Sequence, residues 1–214
     1  MDGSSTKSLT IANPSESNLT ATVLDQDLRV LFLTAANSGD GISTSALALA
    51  RQLSQMSSGL VLLVDASQSA HSLSQQLGLH KERGFRDLLF QRESTPALND
   101  CIVQLPSLPF HLLPSGRHER GDHLTPEQLK PLLKELGEAY RFVVIDGDPV
   151  YSAGDTLVIA TLVDGVVLVV RAEDTRWEVA QAASQRLTQA GAKLVGSIFN
   201  GRKYYMPKWL YNNL

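Results

Sequence analysis

Residues 36–43 read Ala36-Asn37-Ser38-Gly39-Asp40-Gly41-Ile42-Ser43, a glycine-rich turn between an apolar run and a helical pattern. The spacing is that of a phosphate-binding loop, A/G-x-x-x-x-G-K-S/T, with Gly41 and Ser43 in place and Thr44 behind them. In such a loop the backbone N–H groups of the turn and of the helix N-terminus surround phosphates. A lysine adds the cation that reaches the β- and γ-phosphates. Here the lysine position holds Ile42, which keeps the shape of the loop and removes the charge. Gly39, Asp40, Gly41, Ile42, Ser43 and Thr44 are therefore the candidate nucleotide-binding residues, with catalysis in doubt.

Two carboxylates extend the pattern. Asp146 ends the run Phe142-Val143-Val144-Ile145, and Asp65 ends Leu60-Val61-Leu62-Leu63-Val64. A carboxylate at the C-terminal edge of a strand beside a phosphate loop suits Mg²⁺, directly or through water, which makes Ser43 and Asp146 the candidate metal positions. Asp65, at the equivalent edge, is placed to activate a hydroxyl, so Asp65 and Asp146 are the candidate catalytic pair, active or vestigial. The plain alternative is that each carboxylate caps the helix that follows it. For the loop itself the alternatives are an ordinary glycine-rich turn or a dinucleotide site built on Gly39, Gly41 and Asp65. Against the latter, four residues separate Thr34 from Gly39, and Thr44 stands where the third glycine belongs.

The elements that must hold these groups are legible as strand, turn, helix, strand. Leu28–Thr34 reads as a buried strand, Ser43 to about Met56 as a helix, and Leu60–Asp65 as a second strand. This βαβ unit implies a parallel sheet with a right-handed crossover. Short helical stretches are expected near 70–78 and 84–91, and strands near 101–104 and 109–113. Thr125-Pro126-Glu127-Gln128 marks a helix start, with Thr as N-cap, Pro at the first position and Gln at the third, running to about Ala139. Strands follow at Phe142–Asp146, Gly165–Val170 and Leu194–Phe199, separated by helices near 153–161 and 175–190. Strands apolar throughout require helices on both faces of the sheet. The expected fold is α/β, with three layers, of the P-loop NTPase type and a mainly parallel central sheet.

At 214 residues the chain suits one such domain. Residues 1–25, rich in Ser, Thr, Asn and Asp, are expected to be disordered; 26–200 form the domain; 201–214 form an aromatic and basic tail. A net charge of −3 argues against nucleic acid as a partner. One cysteine, Cys101, fits a reducing compartment, and the first residues lack the apolar segment of a signal peptide. His118, Glu119, Asp122 and His123 cluster without convincing metal-ligand spacing. The tail places Tyr204, Tyr205 and Tyr211 among Arg202, Lys203 and Trp209, which suits phosphorylation, docking on a partner or membrane, or packing on the domain.

Taken together, the motifs resemble those of the bacterial tyrosine autokinases (BY-kinases) of capsule and exopolysaccharide synthesis, within the wider MinD/ParA group of P-loop ATPases. Leu33–Thr44 resembles the family's Walker A segment, which ends P-G-E-G-K-S-T. Val61–Ala66 resembles the start of Walker A′, V-L-L-I-D-A-D. Val143–Asp146 with Pro149-Val150 resembles Walker B, V-I-I-D-x-P-P-V. Leu162-Val163-Asp164-Gly165-Val166 and Val169-Val170-Arg171 match L-V-D-G-V…V-V-R, and Asn200 matches an asparagine expected to contact adenine.

The departures fall on the chemistry: Ile42 for lysine, Ser67 for the second Walker A′ aspartate, and Asp148 for the first Walker B proline. No E-A-Y-R-x-L-R segment precedes the first strand. The resemblance thus implies a catalytically degenerate relative, with ATP and Mg²⁺ binding weakened or lost. Arg171, Arg202 and Lys203 are the cations open to compensate. It also implies a membrane chain-length-determinant (Wzz-like) partner, a cytoplasmic protein held at the inner membrane through that partner, and an open question of homo-oligomerisation. A residual autokinase that phosphorylates its tail tyrosines and a MinD/ParA-like positioning ATPase are the competing implications.

Overall fold

The computed structural model describes residues 14–90, 96–117, 119 and 122–201. Seven strands form one sheet: β1 (Val30–Ala35), β2 (Val61–Asp65), β3 (Val103–Gln104), β4 (His111–Leu113), β5 (Phe142–Asp146), β6 (Gly165–Arg171) and β7 (Leu194–Asn200). Their order is β3-β4-β2-β5-β1-β6-β7, and every pairing is parallel except that of the short edge strand β3 with β4. The expected mainly parallel α/β fold is what the chain adopts.

Alternation along each strand explains the layers, because successive side chains of a strand point to opposite faces. Leu31 and Leu33 of β1, Leu63 of β2, Val144 of β5 and Val167 of β6 share one core with Ala46, Leu49 and Leu53 of α2 (Ile42–Met56). Phe32, Val64, Ile145 and Leu168 point the other way. They pack with Leu129, Leu133 and Leu136 of α6 (Pro126–Ala139), Ile159 of α7 (Asp155–Leu162) and Leu187 of α8 (Trp177–Gln189). Two apolar faces per strand leave no polar alternation, which is why these runs read as continuous.

The start of α6 is capped as its sequence dictates: Gln128 N–H donates to Thr125 Oγ1 and Gln128 Oε1 accepts from Thr125 N–H. Asp164, part of the L-V-D-G-V match, has a local task. Its Oδ2 accepts from the N–H groups of Arg29 and Val30, at 2.9 and 2.8 Å, and so fixes the entry of β1.

The expectation of disorder over 1–25 is corrected for its second half. Pro14–Asp25 is a helix, α1, whose Leu19 and Val23 are buried against the face that carries α2. Thr20 is buried beside them and Leu24 packs against the same core, so the helix is anchored by scattered side chains in a run of Ser, Thr and Asn that gives little periodicity. Residues 1–13 lie outside the described residues. The middle third holds α3 (Leu73–Gln76), α4 (Phe85–Leu89) and α5 (Leu98–Cys101), the last not anticipated. Among the described residues, no helix is long and apolar enough to cross a membrane.

Candidate functional site

β1 ends at the centre of the sheet, between β5 and β6, and the chain turns there through residues 36–41 into α2. Gly39 and Gly41 have φ of +88° and +94°, backbone that side chains with a Cβ rarely adopt. No side chain caps α2, and its first turn carries no acidic residue. The residues that open it, Gly41 to Thr44, line a cavity of about 650 Å³, the setting of an anion cradle. Gly39, Gly41, Ile42, Ser43 and Thr44 line one side of it; Ser67, Gln68, Ser69, His71, Gln76 and Asp148 line the other.

The charge of this cavity differs from its shape. Among the described residues no Lys or Arg lines it, and Asp148 is the one carboxylate that does. Ile42 borders the cavity but is 9% exposed, its side chain packed in the core shared with Leu49 and Leu53. Asp40 does not line it either: its carboxylate accepts from Asn37 N–H at 3.1 Å and from Thr175 Oγ1 at 2.8 Å. Arg171 reaches the loop from outside, donating to the Gly39 carbonyl at 3.4 Å while its Nε pairs with Asp174 at 3.4 Å. It stands against backbone, not in the cavity. Arg202 and Lys203, the other cations considered, lie outside the described residues.

Asp65 and Asp146 are brought together as direct partners in the pairing of β2 with β5, and both are fully buried. Their surroundings differ. Asp65 accepts from Ser67 N–H at 3.1 Å, Ser74 N–H at 2.7 Å and Ser74 Oγ at 2.6 Å, so it fastens the turn into α3. Burial raises its pKa, and those serine donors oppose the rise. Among the described residues neither oxygen of Asp146 has a hydrogen-bond partner. Burial pushes its pKa well above the ordinary carboxylate range, the Asp65 and Asp148 charges push the same way, and Ser43 opposes them. The Ser43 hydroxyl is thus close enough to favour the charged form without satisfying it. A buried carboxylate with both oxygens unmet, beside a hydroxyl at a phosphate-type loop, is the donor set a hard divalent cation takes.

Asn200 ends β7, opposite Arg171 of β6. Its Nδ2 donates to the Asp40 carbonyl at 3.0 Å, so the residue matched to an adenine contact lies directly on the loop. Tyr204, Tyr205 and Tyr211 lie outside the described residues, as does His118. Glu119 N–H donates to Asp122 Oδ2, and among the described residues no group of three or more His, Cys, Asp or Glu is arranged to hold a metal.

Sequence reasoning missed the network behind the cavity. Gln68 Nε2 donates to Asp155 Oδ2 at 2.7 Å, and that oxygen also meets Arg86 Nη2 at 3.0 Å; Asp155 Oδ1 accepts from Leu124 N–H at 3.1 Å. Arg86 is almost completely buried. An arginine between Phe85 and the Leu88-Leu89 pair is the signal the sequence offers for it.

The comparisons with known proteins follow this geometry. No protein-family model matches the chain. Tyrosine-protein kinase YwqD of Bacillus subtilis is 27% identical over 188 residues, 87% of this chain and 78% of that protein. Tyrosine-protein kinase CpsD of Streptococcus agalactiae is 26% identical over 175 residues, 80% of this chain and 75% of that one. Among solved structures, the VpsO kinase domain superposes with a TM-score of 0.73 at 28% identity, covering 88% of this chain and 96% of that domain. MinD of Pyrococcus horikoshii, solved with Mg-ADP, gives 0.65 at 22% identity over 86% of this chain and 76% of its own, a likeness of fold. The chain is similar to bacterial tyrosine-protein kinases and shares the P-loop NTPase-like fold of the MinD group, as its motifs imply.

Proposed function

We propose that this chain is a catalytically degenerate BY-kinase-like protein of exopolysaccharide synthesis or export, which acts by binding a membrane partner. The observation that supports this reading is a phosphate-type cavity in which Ile42 is packed into the core where the motif calls for lysine, and which no Lys or Arg lines among the described residues. Phosphoryl transfer rests on cations that neutralise charge developing on the transferred group. Loss of one partner of a buried charge pair costs about 2–5 kcal/mol, roughly 30- to 4,000-fold in affinity. The transition state, with more charge to balance, loses more.

The donor set of Ser43 and Asp146 fits a divalent cation, and these residues would hold Mg²⁺ if it entered. Bound there, the ion would supply positive charge to phosphate oxygens. The cradle of N–H groups at Gly41–Thr44 would orient a nucleotide, and Asn200 lies where an adenine contact is implied. What the chain does not supply is its own cation at position 42. Binding weakened below cellular use, with the fold intact, leaves docking as the function. The resemblance implies a Wzz-like chain-length determinant as the partner, and the tail with Trp209 and Tyr211 is the segment assigned to meet it.

The test has two arms. The purified chain is incubated with labelled Mg·ATP and scored for phosphotyrosine, and its binding to the cytoplasmic segments of a chain-length determinant is measured with and without residues 201–214. The reading expects no label above that of Asp146→Asn, and partner binding that falls when the tail is removed. Label on Tyr204, Tyr205 or Tyr211 that Asp146→Asn abolishes would instead establish an active autokinase.

A further inference from the structure

The turn that leaves β2 forms the wall of the cavity opposite the phosphate-type loop, and a turn of Ala, Ser and Gln that is exposed from Gln68 onward has little apolar side chain to fix it. Its polar groups are fixed instead. Ser67 Oγ donates to Asp148 Oδ1 at 2.6 Å, and Gln68 N–H donates to Asp148 Oδ2 at 2.8 Å. Ser69 N–H closes on Ser67 Oγ at 3.1 Å, and Gln68 Nε2 reaches Asp155. Asp148 lies 81 residues from Ser67 in the chain and is nearly buried, with its own carbonyl held by Thr34 Oγ1 at 2.7 Å. Hydrogen bonds to a charged acceptor are about twice as strong as neutral ones. Across the cavity the carboxylate of Asp40 does the same for the other loop, through Asn37 and Thr175.

We propose that Asp148 is a positioning residue that orders the 67–69 wall from within the chain, so that the wall is set before any ligand arrives. The donors that an anionic ligand would recruit there already have a carboxylate. Ser67 and Asp148 form one coupled pair: a single carboxylate serves the contact from either side, whereas two repel and none leaves donors unmet. On this view Ser67 and Asp148 are not two separate defects of the cavity but one rearrangement, distinct from the loss of charge at Ile42. These bonds are made within the chain alone, so the proposal does not rest on the docking reading.

Hydrogen exchange of residues 66–72, referenced to β5, tests it in the full chain, in Asp148→Ser, in Ser67→Asp and in the reciprocal double variant, each with and without Mg·ATP. Loss of a bond to a charged acceptor is worth about 1.5–3 kcal/mol, so each single variant should exchange about 10- to 100-fold faster in this segment alone. The double variant should exchange more slowly than either single one, and Mg·ATP should leave the natural chain unchanged. Unaltered exchange in Asp148→Ser, a double variant faster than both singles, or protection of 66–72 by Mg·ATP would each overturn the proposal. If a charged variant fails to fold, Ser67→Ala removes one bond and leaves that of Gln68. Faster local exchange then supports the proposal, and unchanged exchange overturns it.

Discussion

Asn200 lies so close to Gly41 that a Cβ on residue 41 would stand 1.8 Å from Asn200 Nδ2. The contact ties the end of β7 to the loop after β1, and two constraints meet at one glycine. Its φ of +94° disfavours any side chain, and the carboxamide fills the space a side chain needs. Gly41→Ala should therefore cost about 1–2 kcal/mol from backbone strain alone, plus the displacement of Asn200. A thermal melt should show a loss of several °C, at about 2–4 °C per kcal/mol for a chain of this size. Adding Asn200→Ala should recover only part of the loss, because it relieves the clash and not the strained φ.

The carboxyl of Asp146 makes stability depend on pH in a stated direction. Its folded pKa lies above the unfolded value, so between the two the native state binds more protons than the unfolded chain. Stability is then greatest below the unfolded pKa of 3.8 and is lost as pH rises through the folded value. Asp65 contributes with the same sign. Asp146→Asn, which carries no charge to bury, should melt higher than the natural chain at pH 7, and the difference should shrink toward pH 4. Melting curves across that range check this; a variant that is less stable at pH 7 would contradict it.

Arg86 and Asp155 form a buried ion pair at 3.0 Å that connects α4 to α7, with Gln68 on the same oxygen. Among the described residues Arg86 Nε and Nη1 have no hydrogen-bond partner, so the cation, which also lies over the Phe90 ring, is only partly satisfied. Removing it still leaves a buried carboxylate short of its cation. Arg86→Ala should lower stability by about 3–5 kcal/mol, the usual cost of breaking such a pair. Denaturant unfolding should show the midpoint fall by that amount.

Cys101 is buried, and burial with the nearby charges of Asp87 and Asp100 pushes its thiol up to about 11. The reactive form is the thiolate. Alkylation of the native chain at pH 8 should thus be far slower than that of the unfolded chain, and mass spectrometry of iodoacetamide-treated protein measures both. Equal rates would mean that the packing around α5 opens readily.

The parts of this molecule that were legible in its sequence are those with a local or repeating signature. β1, β2, β5 and β6 carry apolar side chains to two helical layers and so appear as unbroken hydrophobic runs, and the α6 start shows its N-cap in four letters. Gly41, Ser43 and Asp146 were found by spacing relative to strand ends, which the parallel sheet turns into proximity. α1 is not legible, since Leu19, Thr20 and Val23 are driven inward from a stretch whose Ser, Thr and Asn content matches a solvated segment. Nor are the bonds from Ser67 to Asp148 and from Gln68 to Asp155, 81 and 87 residues apart. Those pairs exist because the β2–β5 register sets Asp65 beside Asp146, and a register is a property of the folded sheet. Asp148 looked like a lost proline, and only its partner on the neighbouring turn gives it a task.

The most direct test of the central claim is calorimetric titration of the chain and of Ile42→Lys with Mg·ATP. The expected result is no measurable binding by the natural chain up to millimolar nucleotide, and binding restored in Ile42→Lys, where the new cation joins the cradle, Ser43 and Asp146. Micromolar binding by the natural chain would contradict it and would make this cavity a working nucleotide site.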